Sequence, residues 1–293
     1  MWRKILPCLS LTLITVLSSA QDATEYIEIY PGKLPIILTV PHGGDLKPTN
    51  MLARRYGVTA KDSNTAELSL MIGEELQKLY GGKPHTLICQ LHRSKVDCNR
   101  ELSEAAQGDP TAIAAWKLFH GTADEMENQV TRDFGAGLTI DLHGHRHEEE
   151  RVELGYLLPS TVLNMSDKDL ESEDQYRLMS SVRELDTRSS TTFAKLIRGQ
   201  DSLGAMLENE GFKSVPSPQK PFPGRAPYFS GAYTIAAHGS RDSGTISAIQ
   251  IECPWRGVRD TEKNQRKFAQ ALARVLGDYF EKHFQMSLKA KSE

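Results

Sequence analysis

The chain has 293 residues, 39% of them apolar and 25% charged, and carries a formal net charge of −3 at neutral pH. That length and apolar share can bury a core without cross-links. The mildly acidic balance gives no reason to expect nucleic acid or an anionic membrane as partner.

In chain order, Arg3 and Lys4 make a short basic start, residues 5–17 are apolar, and Ser18-Ser19-Ala20 places small residues before a cleavage point. This layout predicts a secretory signal over residues 1–20, because the apolar run is too short to span a bilayer. Residues 21–293 are then expected to be one secreted domain. Cleavage removes two basic residues and no acidic one, taking the charge from −3 to −5. Cys89, Cys98 and Cys253 remain, an odd and sparse set that excludes a disulfide framework and leaves room for one bridge and a free thiol. Asn164-Met165-Ser166 is a glycosylation acceptor and predicts an exposed loop.

Residues 34–40 form a continuous apolar run of strand length, closed by Pro41 and two glycines. Residues 62–80 have helical spacing, 86–91 read as a second strand, and 110–134 as a long amphipathic helix. Strands follow at 138–142, 152–158 and 246–251, and a closing helix at 261–284. Short strands apolar on both faces and separated by helices predict an α/β fold, a mostly parallel or mixed sheet sandwiched by helices. Residues 160–245 read as an elaboration on that single domain, with a proline-rich surface loop at 216–227.

Polar groups follow the strands. After the first comes Pro41-His42-Gly43-Gly44-Asp45; after the second, His92-Arg93 and then Asp97-Cys98-Asn99-Arg100; after the third, Asp141-Leu142-His143-Gly144-His145-Arg146-His147; after the fifth, Glu252-Cys253-Pro254. Ligands of open parallel sheets bind at the carboxyl ends of strands, so these four ends point to one site. Hydrolytic zinc takes three protein ligands, often two histidines and a carboxylate. His42 and His143 supply the histidines. Two acids compete for the third place: Asp45, three residues beyond His42, and Asp62, which would otherwise cap the next helix. His145 and His147 read as part of a solvated loop beside acidic residues 148–150. Arg93 and Arg100 can hold a carboxylate in a bidentate grip, with Asn99 adding a donor and an acceptor. Asp97 reads as a salt-bridge partner for one of these arginines. Glu252 is placed to move protons beside a metal. Tyr233 and His238 can reach the site from a glycine-rich loop.

Taken together, Pro41-His42-Gly43-Gly44, Asp62, and Arg93 with Asp97-Cys98-Asn99-Arg100 resemble the N-formylglutamate amidohydrolase family. Its wider relatives are zinc carboxypeptidase-like enzymes, and the resemblance extends over most of residues 35–285. It implies a zinc exopeptidase-like fold, Zn2+ held by His42 and His143, and substrate held by Arg93, Asn99 and Arg100, with Glu252 as general base. Carboxypeptidase-like spacing implies Asp45 as third ligand, whereas the narrower family implies Asp62, the preferred choice. The activity implied is hydrolysis of an amide in an anionic N-acyl amino acid such as N-formylglutamate. The alternatives are a secreted carboxypeptidase or poly-glutamate hydrolase, or an inactive extracellular binding or matrix protein on the same scaffold. An export signal and a long middle segment depart from the bacterial members of histidine breakdown.

Overall fold

The computed structural model describes residues 23–291, so the expected signal segment lies outside the described residues. Seven strands form one sheet: β1 Ile27–Tyr30, β2 Ile36–Val40, β3 His85–Cys89, β4 Gly137–His145, β5 Val152–Gly155, β6 Ser214–Val215 and β7 Ile246–Pro254, in the spatial order β1-β3-β2-β4-β7-β5-β6. The centre, β3-β2-β4-β7, is parallel, whereas β1 runs antiparallel to β3 and β5 antiparallel to β7. The sheet is therefore mixed. The run at 152–158 turns back into the sheet as an antiparallel strand, and only its first four residues pair.

Four helices fix the layers: α1 Thr65–Tyr80, α2 Pro110–Phe134, α3 Tyr233–Ala237 and α4 Glu262–Tyr279. The three long ones start and stop for local reasons. Asp109 accepts from Ala112 N and Pro110 occupies the first turn of α2, while Thr261 accepts from Asn264 N at α4. Gly81, at φ 77°, ends α1 in the left-handed conformation. On one side of the sheet Leu68, Ile72 and Leu76 of α1 join Phe268, Leu272 and Leu276 of α4 in the larger core; on the other, Phe119, Ala123 and Val130 of α2 pack over Ile37 and Leu87. Helices on both faces explain why β2, β3, β4 and β7 are buried along almost their whole length. The middle segment adds short helices, among them Phe193–Arg198 and Leu203–Asn209, whose apolar faces extend the larger core. Cys89, Cys98 and Cys253 are buried and free, so no bridge forms among them. Among the described residues, no helix is long and apolar enough to cross a membrane.

Candidate metal centre

The parallel strands deliver their polar ends to one place. β2 ends at Val40, and His42 follows it, 1% exposed. His143 sits near the end of β4, the strand beside β2. Asp62 is brought in by the connection to α1: its backbone N–H donates to the His42 carbonyl at 3.0 Å, and its own carbonyl accepts from Thr65 Oγ1. The α1 N-cap position is Asn64, which makes no side-chain cap, so the Asp62 carboxylate is not spent on the helix. It turns toward the histidines instead. Asp62 Oδ2 lies 3.3 Å from His42 Nδ1 and 3.1 Å from His143 Nδ1, and the two Nδ1 atoms are 3.1 Å apart.

Protonation of these rings follows from what lies behind them. His42 Nε2 is 2.6 Å from Asp97 Oδ1, and His143 Nε2 is 2.7 Å from Asp141 Oδ2. Opposite a buried carboxylate, each Nε2 carries the proton and donates it. Both Nδ1 atoms are thus left with lone pairs that converge on each other and on the Asp62 oxygen. With neutral rings, three acceptors lie within hydrogen-bond distance of one another, an arrangement suited to a cation. Against burial, Asp141 and Asp62 raise the His143 ring well above the usual imidazole range, so positive charge is favoured there. A tetrahedral zinc with bonds of ~2.0–2.1 Å separates its ligands by roughly 3.3 Å, which matches the triangle. Carboxylates behind the far ring nitrogens are the usual support of metal-binding histidines.

That support is itself secured. Asp97 Oδ2 accepts from Arg93 Nε at 2.9 Å and lies 3.4 Å from Arg54 Nη1, while Asp141 Oδ1 accepts from Thr39 Oγ1 at 2.7 Å. Burial would raise the Asp97 carboxyl, but the charge and hydrogen bond of His42, with Arg93, hold it well below the usual range. At Asp62 burial is likewise outweighed, here by His143 and His42. Gly144 N also donates to Asp62 Oδ2 at 3.2 Å, and a Cβ on Gly144 would sit 2.1 Å from the buried Arg259 guanidinium. That guanidinium ties the carbonyls of Cys253, His145 and Ser63, bracing β7, β4 and the Asp62 loop together.

Glu252 stands directly across from His143 in the β4–β7 register and lines the same cavity of about 160 Å³. Its other register partner is Glu153 on β5. Burial, then the charges of Asp62 and Glu153 against that of His143, push its carboxyl up to about 8. Gln250, two residues earlier on the same face, donates to Glu252 Oε1 at 3.0 Å.

The remaining expected residues divide. Arg93 lines the cavity with Nη1 4.0 Å from Asp62 Oδ1, so it serves Asp97 with Nε and faces the centre with its terminal nitrogens. Arg100 also lines it, at the rim, paired with Glu104 at 3.4 Å. Asn99 is 3% exposed and already engaged: its Oδ1 accepts from Thr234 N, and its Nδ2 donates to Gln250 Oε1 at 3.4 Å. It holds the wall of the cavity. Asp45 is not brought in; it sits on the surface paired with Lys61, because the chain bends away after Gly44, packed against the Gln90 backbone. Tyr233 lies outside the cavity, against Trp116 and His120, and borders a neighbouring cleft of about 520 Å³. His145 is buried at the end of β4 and not on a solvated loop. Its Nε2 donates to the Arg151 carbonyl and its Nδ1 accepts from His147 N, so the nearby His145, His147, Glu153 group has no His145 nitrogen to offer. Residues not singled out from the sequence are Asp141, Thr39, Arg54, Gln250 and Arg259. Asp141 carried a signal, since two residues before His143 on a strand means the same face.

No family model and no curated protein matches the sequence significantly. Solved structures match the fold. A gene product of Agrobacterium tumefaciens aligns at 14% identity with a TM-score of 0.54, over 89% of this chain and 96% of that one. The N-formylglutamate amidohydrolase of Ralstonia eutropha aligns at 13% identity with a TM-score of 0.52, over 89% of this chain and 99% of that one. At these identities the likeness establishes a shared α/β fold.

Proposed function

We propose that this chain is an exported, zinc-dependent hydrolase of the amide bond in N-acyl amino acids, with N-formylglutamate as the type substrate. One observation carries the reading: two imidazole lone pairs and a carboxylate oxygen converge, each imidazole braced by its own carboxylate, beside a buried glutamate. A zinc ion held by His42, Asp62 and His143 would supply Lewis-acid polarisation of the scissile carbonyl and a lowered pKa for the attacking water. Glu252 takes the proton of that water. Burial, above all, pushes its carboxyl up to about 8, and a cation beside it would favour the ionised form, so the group can take a proton and return it to the departing nitrogen. The terminal nitrogens of Arg93, beside Asp62, stabilise the oxyanion. Arg100 at the rim holds the carboxylate of the amino acid product.

The experiment offers N-formyl-, N-acetyl- and peptidyl-glutamate to zinc-loaded protein and measures release of glutamate. Turnover of the N-formyl or N-acetyl compound that a chelator abolishes supports the proposal. No turnover of any of them in zinc-replete protein defeats it. A second reading, a peptide or poly-glutamate hydrolase, draws on the 520 Å³ cleft, which shares Asn99, Arg100 and Ala232 with the smaller cavity and offers room for a longer chain. Preference for peptidyl over formyl glutamate would favour it.

A further inference from the structure

A second set of ligand atoms meets where α2 passes the end of α3. α2 presents Asp124 and Glu127, about one turn apart, and His238 directly follows α3. The His238 ring is buried, with Nδ1 2.9 Å from Glu127 Oε1 and 3.5 Å from Asp124 Oδ1. All three groups are close enough to share one ion.

Its neighbour fixes how His238 is protonated. His120 Nε2 lies 2.9 Å from the Cys98 carbonyl, so it carries the proton and donates. His120 Nδ1 therefore keeps a lone pair, and His238 Nε2 faces it at 2.8 Å. That nitrogen must be the N–H. In a neutral ring the lone pair left over, on His238 Nδ1, points among carboxylate oxygens: acceptors again, with no donor. A positive charge belongs there, brought by a proton or by a metal ion. A proton on Nδ1 would have to aim at a carboxylate oxygen. Yet His238 Nδ1 and Glu127 Oε1, both buried and 2.9 Å apart, lack an aligned hydrogen-bond partner. An ion on that lone pair sits between the ligand atoms, so neither carboxylate oxygen has to lie along the N–H direction itself.

We propose that Asp124, Glu127 and His238 form a second divalent-cation site, with one imidazole and two carboxylates suited to zinc. The design repeats that of the first centre: the histidine offers Nδ1 and anchors its Nε2–H on a buried acceptor. Asp124, mostly exposed, gives the ion its way in from solvent. A filled site pins α2 to α3, and α3 in turn donates Thr234 N to Asn99 Oδ1 at 2.8 Å, at the wall of the first cavity. The ion is thus structural, and its existence does not depend on the hydrolase reading.

The test strips the protein with chelator, titrates it with zinc chloride, and counts bound zinc after gel filtration. Wild type is expected to hold two ions per chain. Glu127→Gln and His238→Gln should each hold one. Asp124→Asn, at an exposed position where folding is not in question, should weaken the second ion by tenfold or more. His143→Ala should lose the first ion and keep this one. Saturation of wild type at a single ion that His143→Ala abolishes would overturn the second site and leave the first standing. Two ions retained at unchanged affinity in both Glu127→Gln and Asp124→Asn would overturn it equally.

Discussion

In the proposed metal site His42 and His143 each have two duties, a lone pair toward the centre and an N–H toward a buried acid, so alanine at either would remove a ligand and orphan a carboxylate. Both variants should lose the centre's zinc and with it turnover; stoichiometric metal at that centre and full rates in either would refute the assignment. Asp141→Asn tests the support behind His143 without touching a ligand. Loss of such outer partners costs about 10- to 100-fold in metal affinity, so zinc titration should show a weakening of that size. Glu252 separates chemistry from binding. Glu252→Gln should keep zinc while turnover falls by roughly 10²–10⁴, the usual share of general acid–base catalysis. The same residue has a cost for the fold. In chelated protein its carboxyl, pushed up to about 8 mainly by burial against 4.5 in an open chain, prefers the neutral form. The stability it contributes is complete below about 4.5 and is lost as pH rises through about 8. Urea titrations of chelated wild type should therefore show stability falling across that window. Glu252→Gln, which cannot ionise, should flatten the fall; an unchanged slope would show that another group governs it.

At the scale of elements, the centre depends on how closely β4, β7 and the loop before α1 approach. Gly144 is where that approach is tightest, because a Cβ there meets Arg259 Cζ at 2.1 Å. Gly144→Ala should destabilise the protein by about 1–3 kcal/mol, the usual cost of overpacking, and shift the His143 strand end enough to weaken zinc. A denaturation midpoint equal to wild type would mean that Arg259 yields freely. Much of this arrangement was legible in the sequence. Continuous apolar runs marked the buried strands β2, β3, β4 and β7, and the polar residues after them marked one edge of the sheet. β1 and β6 carry no such signal, because Ile27–Tyr30 is a short edge strand with one buried residue and Ser214–Val215 pairs over only two. Strand direction at β5 was not readable, since periodicity carries no sign. Asp62 stayed in competition with Asp45 because helix capping and metal ligation ask for the same residue type. Only the meeting of the β2 and β4 ends, remote in sequence, separates the two. His145 looked solvated because its acidic neighbours are; its own ring falls on the buried face that Asp141 and His143 share.

For the whole molecule, an ion at the first centre would act as a cross-link. It would join a strand end at residue 42, a loop at 62 and a strand at 143, and Cys89, Cys98 and Cys253 form no bridge to share that task. A ligand that binds the folded chain alone stabilises it by mass action, by about 4 kcal/mol when free zinc stands 1,000-fold above its dissociation constant. For a domain near this size each kcal/mol moves the melting temperature by about 2–4 °C, so chelation should lower it by roughly 10 °C. Thermal melts with chelator, and with zinc restored, measure this directly. The His143→Ala variant supplies the control. It should melt near the chelated wild type and recover little with added zinc, any remaining gain being that of an ion bound elsewhere. If instead wild type melts at one temperature with and without chelator, the three segments are held by packing alone, and the centre is too weak to serve as the catalytic metal site of a hydrolase.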